Sequence, residues 1–303
     1  PMRKQNREKI WVRIAGDPVR GKDEVLWTVV DITERVKAKD KIEQLASKLS
    51  RYLSPQVYQS IFSGKKNVKI EAYRKKLTVF FSDIKGFTEI TDRLEPEVLS
   101  TLLNSYLNEM SKIALKYGGT IDKFVGDAIL IFFGDPETKG DKEDAYSCVL
   151  MALEMQERMH HLKNLWEGQG ITNPLEIRIG INTGYCNVGN FGSKNRFDYT
   201  IIGGEVNLAS RLESNAMTGQ ILISQETHAL IKKHIVCEKK DEIKVKGIAH
   251  KIQTYQVVGS YKNVAKKRKI LNKKFDGFNL NIDLNISKKN KVITSLENTL
   301  KKL

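Results

Sequence analysis

From residue 77 onward, short β-branched and aromatic runs alternate with long amphipathic patterns, and two of the runs are separated by only a tight turn. GTIDKF and AILIFF flank Val125-Gly126-Asp127, a hairpin signal. A hairpin among helices constrains the fold strongly, because strands joined by so short a turn must pair antiparallel. The expectation is therefore an α+β sheet rather than a doubly wound parallel one. The other elements follow from periodicity and punctuation. LTVFFSD, EIRIGINT, DYTIIG and QILIS read as strands, with further strands near 235–240 and 252–258. Residues 95–117, ending at Gly118-Gly119, 141–165 and 204–214 read as helices, with a further short helix after QILIS.

Upstream, residues 8–15 and 25–32 read as two strands joined by a Gly/Asp/Pro-containing turn. Asp31-Ile32-Thr33-Glu34 spells a capping box, which predicts a helix from about Thr33. Along it Ala38, Ile42, Leu45, Leu49 and Tyr52 recur at heptad spacing, a seam that fits either a parallel helix pair or a face turned to the core. Ser54-Pro55 starts a second helix, with the serine as cap, ending near Gly64. The strand pair running into Asp31-Ile32-Thr33-Glu34-Arg35 resembles the last two strands of a PAS sensor domain.

Charge separates the same regions. The net charge of +15 invites a nucleic-acid reading, yet it lies in the flanks: +10 over 1–78, −4 over 79–260 and +9 over 261–303. No RNP motif, zinc finger or basic zipper accompanies it, so no nucleic-acid partner is expected. Lys266-Lys267-Arg268-Lys269 reads as part of a solvated basic extension. No apolar run approaches the ~20 residues that span a bilayer. Cys148, Cys186 and Cys237 lack metal spacing and read as buried thiols of a cytoplasmic protein. The chain opens Pro1-Met2 without a signal-peptide pattern, as a fragment would, and a membrane anchor is expected only in segments upstream. Gly184 and Gly189 have P-loop spacing, but Asn190-Phe191 follow where Lys and Ser or Thr are required. His160-His161 are adjacent on a helix and read as surface residues.

Asp83 ends an apolar strand and Asp127 sits in the hairpin turn. Either alone reads as a turn residue, but carboxylates at strand ends beside glycines also suit Mg²⁺, which takes one or two carboxylates plus substrate phosphates. Their surroundings decide between the two. FFSDIKGFT (80–88), DKFVGDA (122–128), IGINTG (179–184), YTIIGGEVNLASRLE (199–213) and VKG (245–247) together resemble, in order, the motifs of the class III nucleotidyl cyclases over about residues 73–259.

That resemblance implies a class III cyclase catalytic domain with a ferredoxin-like, palm-type sheet. It implies two metals per site, Mg²⁺ or Mn²⁺, held by Asp83, the Ile84 carbonyl and Asp127. It implies that Gly86, Phe87 and Thr88 offer backbone amides to a triphosphate, that Asn207 orients the ribose, that Arg211 neutralises the α-phosphoryl group, and that Lys246 holds the terminal phosphates. Asn207 and Arg211 are four apart, hence on one helix face.

In the family, adenylate cyclases carry Lys four residues before the second aspartate and guanylate cyclases carry Glu. Here the residue is Lys123, a donor that suits adenine N1 and opposes the N1–H of guanine. Its partner position, Asp in many adenylate cyclases, is Thr200, as in a subgroup that includes bacterial and bicarbonate-responsive cyclases. Gly204-Glu205 and Tyr185 also depart from the commoner residues. The expectation is a bacterial-type adenylate cyclase converting ATP to cyclic AMP and pyrophosphate, as a homodimer with shared sites. The rival readings are a guanylate cyclase and a non-catalytic PAS and coiled-coil dimerisation module. The implied organisation is a PAS-like fragment (1–32), a helical signalling linker (33–72), the catalytic domain (73–260) and a basic extension (261–303).

Overall fold

The structure, a computed structural model, describes residues 2–3, 9–18, 23–50, 53–62, 71–171, 174–193, 195–244, 251–261, 270–275, 278–283 and 289–300. The chain divides into two compact units, residues 1–62 and 63–303.

In the first unit, β1 (Met2–Arg3) pairs with β2 (Lys9–Ile10), and β3 (Val12–Pro18) forms an antiparallel hairpin with β4 (Val25–Asp31), Val12 facing Asp31. α1 (Thr33–Leu49) begins where the sequence predicts, because the Asp31 carboxylate accepts from the Thr33 N–H at 2.9 Å. The capping box itself does not close, since Glu34 reaches Lys37 (3.8 Å) instead of turning back. The seam is not turned to a core: Ala38 is exposed, and Ile42 and Leu45 are 66% and 52% exposed. The core-facing alternative therefore fails. The seam is a narrow stripe, with lysines and acids such as Lys39, Asp40, Lys41 and Glu43 between its apolar residues. Tyr52 lies outside the described residues. α2 (Pro55–Phe62) is capped as expected, with the Val57 N–H donating to Ser54 Oγ at 3.3 Å.

In the second unit, the long strand β5 (Ala72–Ile84) is central. It is followed by α3 (Phe87–Thr91), α4 (Pro96–Tyr117), the hairpin β6 (Thr120–Val125) and β7 (Ala128–Phe133), and α5 (Asp141–Gly168). Then come β8 (Ile177–Ser193), β9 (Arg196–Ile202), α6 (Gly204–Asn215), β10 (Ile221–Ser224), α7 (Gln225–Ile231), β11 (Ile235–Lys239) and β12 (Thr254–Ser260). These strands form one eight-stranded sheet in the order β11-β12-β10-β8-β5-β7-β6, with β9 also pairing β8. Only β10 and β8 run parallel. A separate hairpin, β13 (Ile270–Phe275) with β14 (Phe278–Asp283), and a helix over Lys289–Leu300 complete the chain. Among the described residues no helix is long and apolar enough to cross a membrane.

Strand alternation fills two cores at once, since successive side chains point to opposite faces. Phe80, Ile84, Ile129, Ile131 and Ile179 pack with Tyr106 and Met110 of α4 and Met151 and Met155 of α5. Leu77, Val79, Leu130, Phe132 and Val188 pack on the other face with Ala209 of α6. Both faces being covered, these strands read as continuous apolar runs. The buried Asp135, just after β7, accepts from Tyr73 Oη (2.6 Å), Lys75 Nζ (2.9 Å) and Tyr199 Oη, tying β5 and β9 to that loop.

One departure from the sequence reading has glycine as its cause. β8 runs on to Ser193 rather than stopping near Thr183. Gly184, Gly189 and Gly192 erase its apolar alternation, yet at Gly189 the backbone of Glu71 and Ala72 comes so close that only a glycine fits. At Gly180, a Cβ would overlap the backbone of Ala209 and Glu213, so α6 lies directly on β8. Gly180→Ala should therefore lift α6 from the sheet. We expect a loss of about 3 kcal/mol in denaturant unfolding, of the order found for overpacked cores, with the far-ultraviolet spectrum unchanged. Wild-type stability in this variant would contradict the close packing.

Candidate active site

Asp83, near the end of β5, and Asp127, in the β6–β7 turn, meet at one end of the sheet because β5 pairs with β7, Ser82 opposite Ile129. The Ile84 N–H donates to Asp127 Oδ2 at 3.1 Å. Burial, then the hydrogen-bonded and charged Asp83 beside it, push the Asp127 carboxyl up to about 6. Two carboxylates and a neighbouring backbone carbonyl are hard oxygen donors, which fits a divalent cation completed by substrate oxygens or water. No third His, Cys, Asp or Glu joins them among the described residues. Gly86 adopts a left-handed φ of 68° and turns the chain from β5 into α3, which begins with Phe87 and Thr88.

Sequence reasoning missed Arg178. It stands opposite Asp83 in the β5–β8 ladder and donates to Asp83 Oδ2 at 3.1 Å, while Glu213 (2.5 Å) and the Ser214 carbonyl (3.3 Å) hold the guanidinium from α6. Its only sequence signal is a charge inside an apolar strand, and the cross-strand register that gives the charge a partner is not written locally.

α6 turns Leu208, Ala209, Leu212 and Glu213 inward and leaves Asn207 and Arg211 exposed. Among the described residues, Arg211 makes no ion pair, and no hydrogen bond or ion pair joins Asn207 or Arg211 to Asp83 or Asp127. The helix fulfils the one-face expectation, but the structure does not bring its polar pair to the carboxylates of the same chain. Lys246 lies outside the described residues. Glu205 accepts from Asn182 Nδ2 at 2.7 Å, and Tyr185 stacks under Arg74, 4.8 Å from its ring centre.

Lys123 and Thr200 converge, through a residue the sequence did not single out. Thr200 Oγ1 donates to Asp122 Oδ2 at 2.6 Å, the Ile201 N–H donates to the same oxygen at 3.3 Å, and Lys123 Nζ lies 3.4 Å from Asp122 Oδ1. A carboxylate thus stands beside position 200 after all, supplied by β6. His160 and His161 are exposed, as expected. A cleft of about 510 Å³ between α4 and α5 has His161 in its lining but none of Asp83, Asp127, Lys123, Thr200, Asn207 and Arg211.

The Asp127 carboxyl at about 6 compares with about 4 for an unfolded aspartate, so between these values the folded chain binds more protons than the unfolded one. Its charge therefore lowers stability progressively as pH rises through that window. We expect Asp127→Asn to melt above the wild type at pH 7.5 in EDTA, the gap closing toward pH 4, and Mn²⁺ to stabilise the wild type alone. A lower melting temperature for the variant in EDTA at pH 7.5 would contradict the assignment.

Comparison with known proteins agrees with this geometry. The family model for the adenylate and guanylate cyclase catalytic domain matches residues 68–259. The terminal-differentiation-specific adenylate cyclase of Dictyostelium discoideum is 33% identical over 225 residues, 72% of this chain and 10% of its own length. The solved adenylyl cyclase CyaB of P. aeruginosa is 64% identical with a TM-score of 0.62, covering 63% of this chain and 97% of that one. The solved guanylyl cyclase Cya2 is 36% identical with a TM-score of 0.60, covering 62% and 94%. The chain spans less than half the length of the curated relatives it matches first. With its α+β sheet, its paired aspartates and a family match over most of its second unit, the chain belongs to the class III nucleotidyl cyclases, the family of adenylate and guanylate cyclase catalytic domains.

Proposed function

We propose that residues 73–260 are the catalytic domain of an adenylate cyclase that converts ATP to 3′,5′-cyclic AMP and pyrophosphate at a site shared by two copies of the chain. One observation carries the sharing: within one chain no hydrogen bond or ion pair among the described residues joins the carboxylate pair to the exposed Asn207 and Arg211, so one ligand meets both sets across a two-fold interface. Lys123 carries the choice of ATP over GTP, because an ammonium only donates and adenine N1 only accepts.

The 3′-hydroxyl attacks the α-phosphorus in line and pyrophosphate leaves. Two divalent cations, Mg²⁺ or Mn²⁺, held by Asp83, Asp127 and the Ile84 carbonyl, would lower the hydroxyl pKa and offset charge on the leaving group. From the partner, Arg211 faces the phosphoryl oxygens with a planar array of donors, and Asn207 holds the ribose. Backbone amides of Gly86, Phe87 and Thr88 and the Lys246 ammonium take the remaining phosphates. Among the described residues no histidine stands at the carboxylates, and the reaction needs no dedicated protein base.

The first unit supports a control role. The exposed Ala38, Ile42 and Leu45 suit pairing of two α1 helices, which would pass a rotation from PAS-like strands (1–32) through the linker (33–72) to the catalytic domains. Residues 261–303 form a basic extension.

An assay of cyclic product from ATP and GTP with Mn²⁺ and with Mg²⁺ tests the substrate, and predominant cyclic GMP would establish the guanylate alternative. Asp83→Ala should cost several orders of magnitude in rate, as should Arg211→Ala. Mixing the two inactive proteins should restore turnover, because each heterodimer rebuilds one intact site. No recovery in demonstrated heterodimers would refute the shared site. Within 37–48, deletion of seven residues should preserve activity better than deletion of three or four, since only the former keeps the seam in phase. Equal activity across all deletions would make α1 a simple surface helix.

A further inference from the structure

The β6–β7 ladder slips at one place. Ile121 faces Ile131 and Lys123 faces Leu130, which leaves Asp122 as the extra residue of a bulge. In a regular strand Asp122 and Lys123 would point to opposite faces, but a bulge bends the strand and re-aims its side chains. Here the two end 3.4 Å apart. The Asp122 side chain is 1% exposed, and its Oδ1 accepts no hydrogen bond. Burial raises its carboxyl against the opposing pull of the Thr200 hydroxyl and the Lys123 charge. A buried carboxylate costs stability even with an ammonium 3.4 Å from one of its oxygens, and the bulge leaves Asp122 outside the ladder. What the arrangement does provide is control over two neighbouring polar groups.

We propose that Asp122 sets the purine preference of this domain by committing the Thr200 proton and steering the Lys123 ammonium, so that the pair recognises a base with an amino group beside a ring-nitrogen acceptor. A hydroxyl has one proton and two lone pairs, so unrestrained it can read either a donor or an acceptor. With its proton on Asp122 Oδ2 at 2.6 Å, the Thr200 oxygen has only lone pairs left to offer. Thr200 is buried, so its hydroxyl has little water to turn to. Beside it, the carboxylate holds a pure donor in Lys123. Acceptor and donor side by side match the adenine edge, amino group and N1, and oppose guanine at both positions. A site with fixed hydrogen-bonding direction rejects the mismatched partner far more strongly than an adaptable one, because the wrong base leaves buried groups unpaired. Asp122 is thus a positioning residue, acting through Thr200 and Lys123.

The proposal rests on ATP being the substrate and on these two residues meeting its base. The test uses the full chain, with kcat/KM for ATP and for GTP measured in the wild type, Asp122→Ala, Asp122→Asn, Thr200→Val and the Asp122→Ala/Thr200→Val double variant. Dissociation constants for 3′-deoxy-ATP and 3′-deoxy-GTP, which cannot cyclise, give a second readout. Removing the carboxylate should lower the ATP-to-GTP ratio about tenfold in both readouts, chiefly by admitting GTP. In the Thr200→Val background the same change should shift the ratio clearly less than in the wild type, since no proton remains to be committed and only the steering of Lys123 is lost. Asp122→Asn keeps the shape of the side chain and decides the matter if the alanine variant does not fold. Equal losses for both nucleotides, or a full shift that persists without the Thr200 hydroxyl, would overturn the proposal while leaving the adenylate cyclase reading intact. A wild type that prefers GTP would overturn both.

Discussion

Thirteen residue pairs join β5 to β8, from Ala72 opposite Gly189 to Ile84 opposite Ile177, and the placement of the site follows from that ladder. It sets Asp83 against Arg178, holds the middle of the sheet dry between two helical layers, and gives β7 a template that delivers the Asp127 turn to the same end. Because β5, β7 and β8 bury side chains on both faces, a slip of one residue would exchange the two cores, so the register is strongly fixed. The site carboxylates are therefore positioned by apolar packing some distance from any ligand.

α6 then does two things with one set of turns. Its inward residues, Glu213 above all, reach Arg178 and through it Asp83, while Asn207 and Arg211 are exposed. Gly180 makes the inward half possible by letting the helix backbone rest on the strand. In the shared-site arrangement we propose, a single helix would orient the carboxylates of its own chain and serve the nucleotide bound by its partner.

Much of this fold could be read directly, and the reasons differ by element. α4 and the β6–β7 hairpin carry local punctuation, Pro96 at the helix start and Gly118 or Gly126 at the turns, so their bounds fall within about a residue of expectation. The second half of β8 was hidden because its glycines answer to a neighbouring backbone, which no window of sequence contains. The same holds for the site. Asp83, Asp127, Asn207 and Arg211 stand in recognisable motifs, and the structure places them on the elements expected. Arg178 and Asp122 matter through cross-strand register and a bulge, and neither leaves a trace in spacing. The seam on α1 could be read as a pattern but not assigned a direction, since exposure distinguishes its two readings and sequence does not.

The two aspartates also differ in how firmly the fold holds them. Asp83 belongs to the central strand, which pairs with β7 up to Ser82 and with β8 through Asp83 itself, so its backbone is held by the middle of the sheet. Asp127 hangs from an edge hairpin, since β6 ends the sheet, and the Ile84 N–H is the hydrogen bond that ties its carboxylate to the centre. The tip of that hairpin can fray at little cost while its neighbour stays in place. A ligand gripping both carboxylates would close this local opening, so protection of the hairpin amides against deuterium would report occupancy of the site from a strand the ligand need not touch.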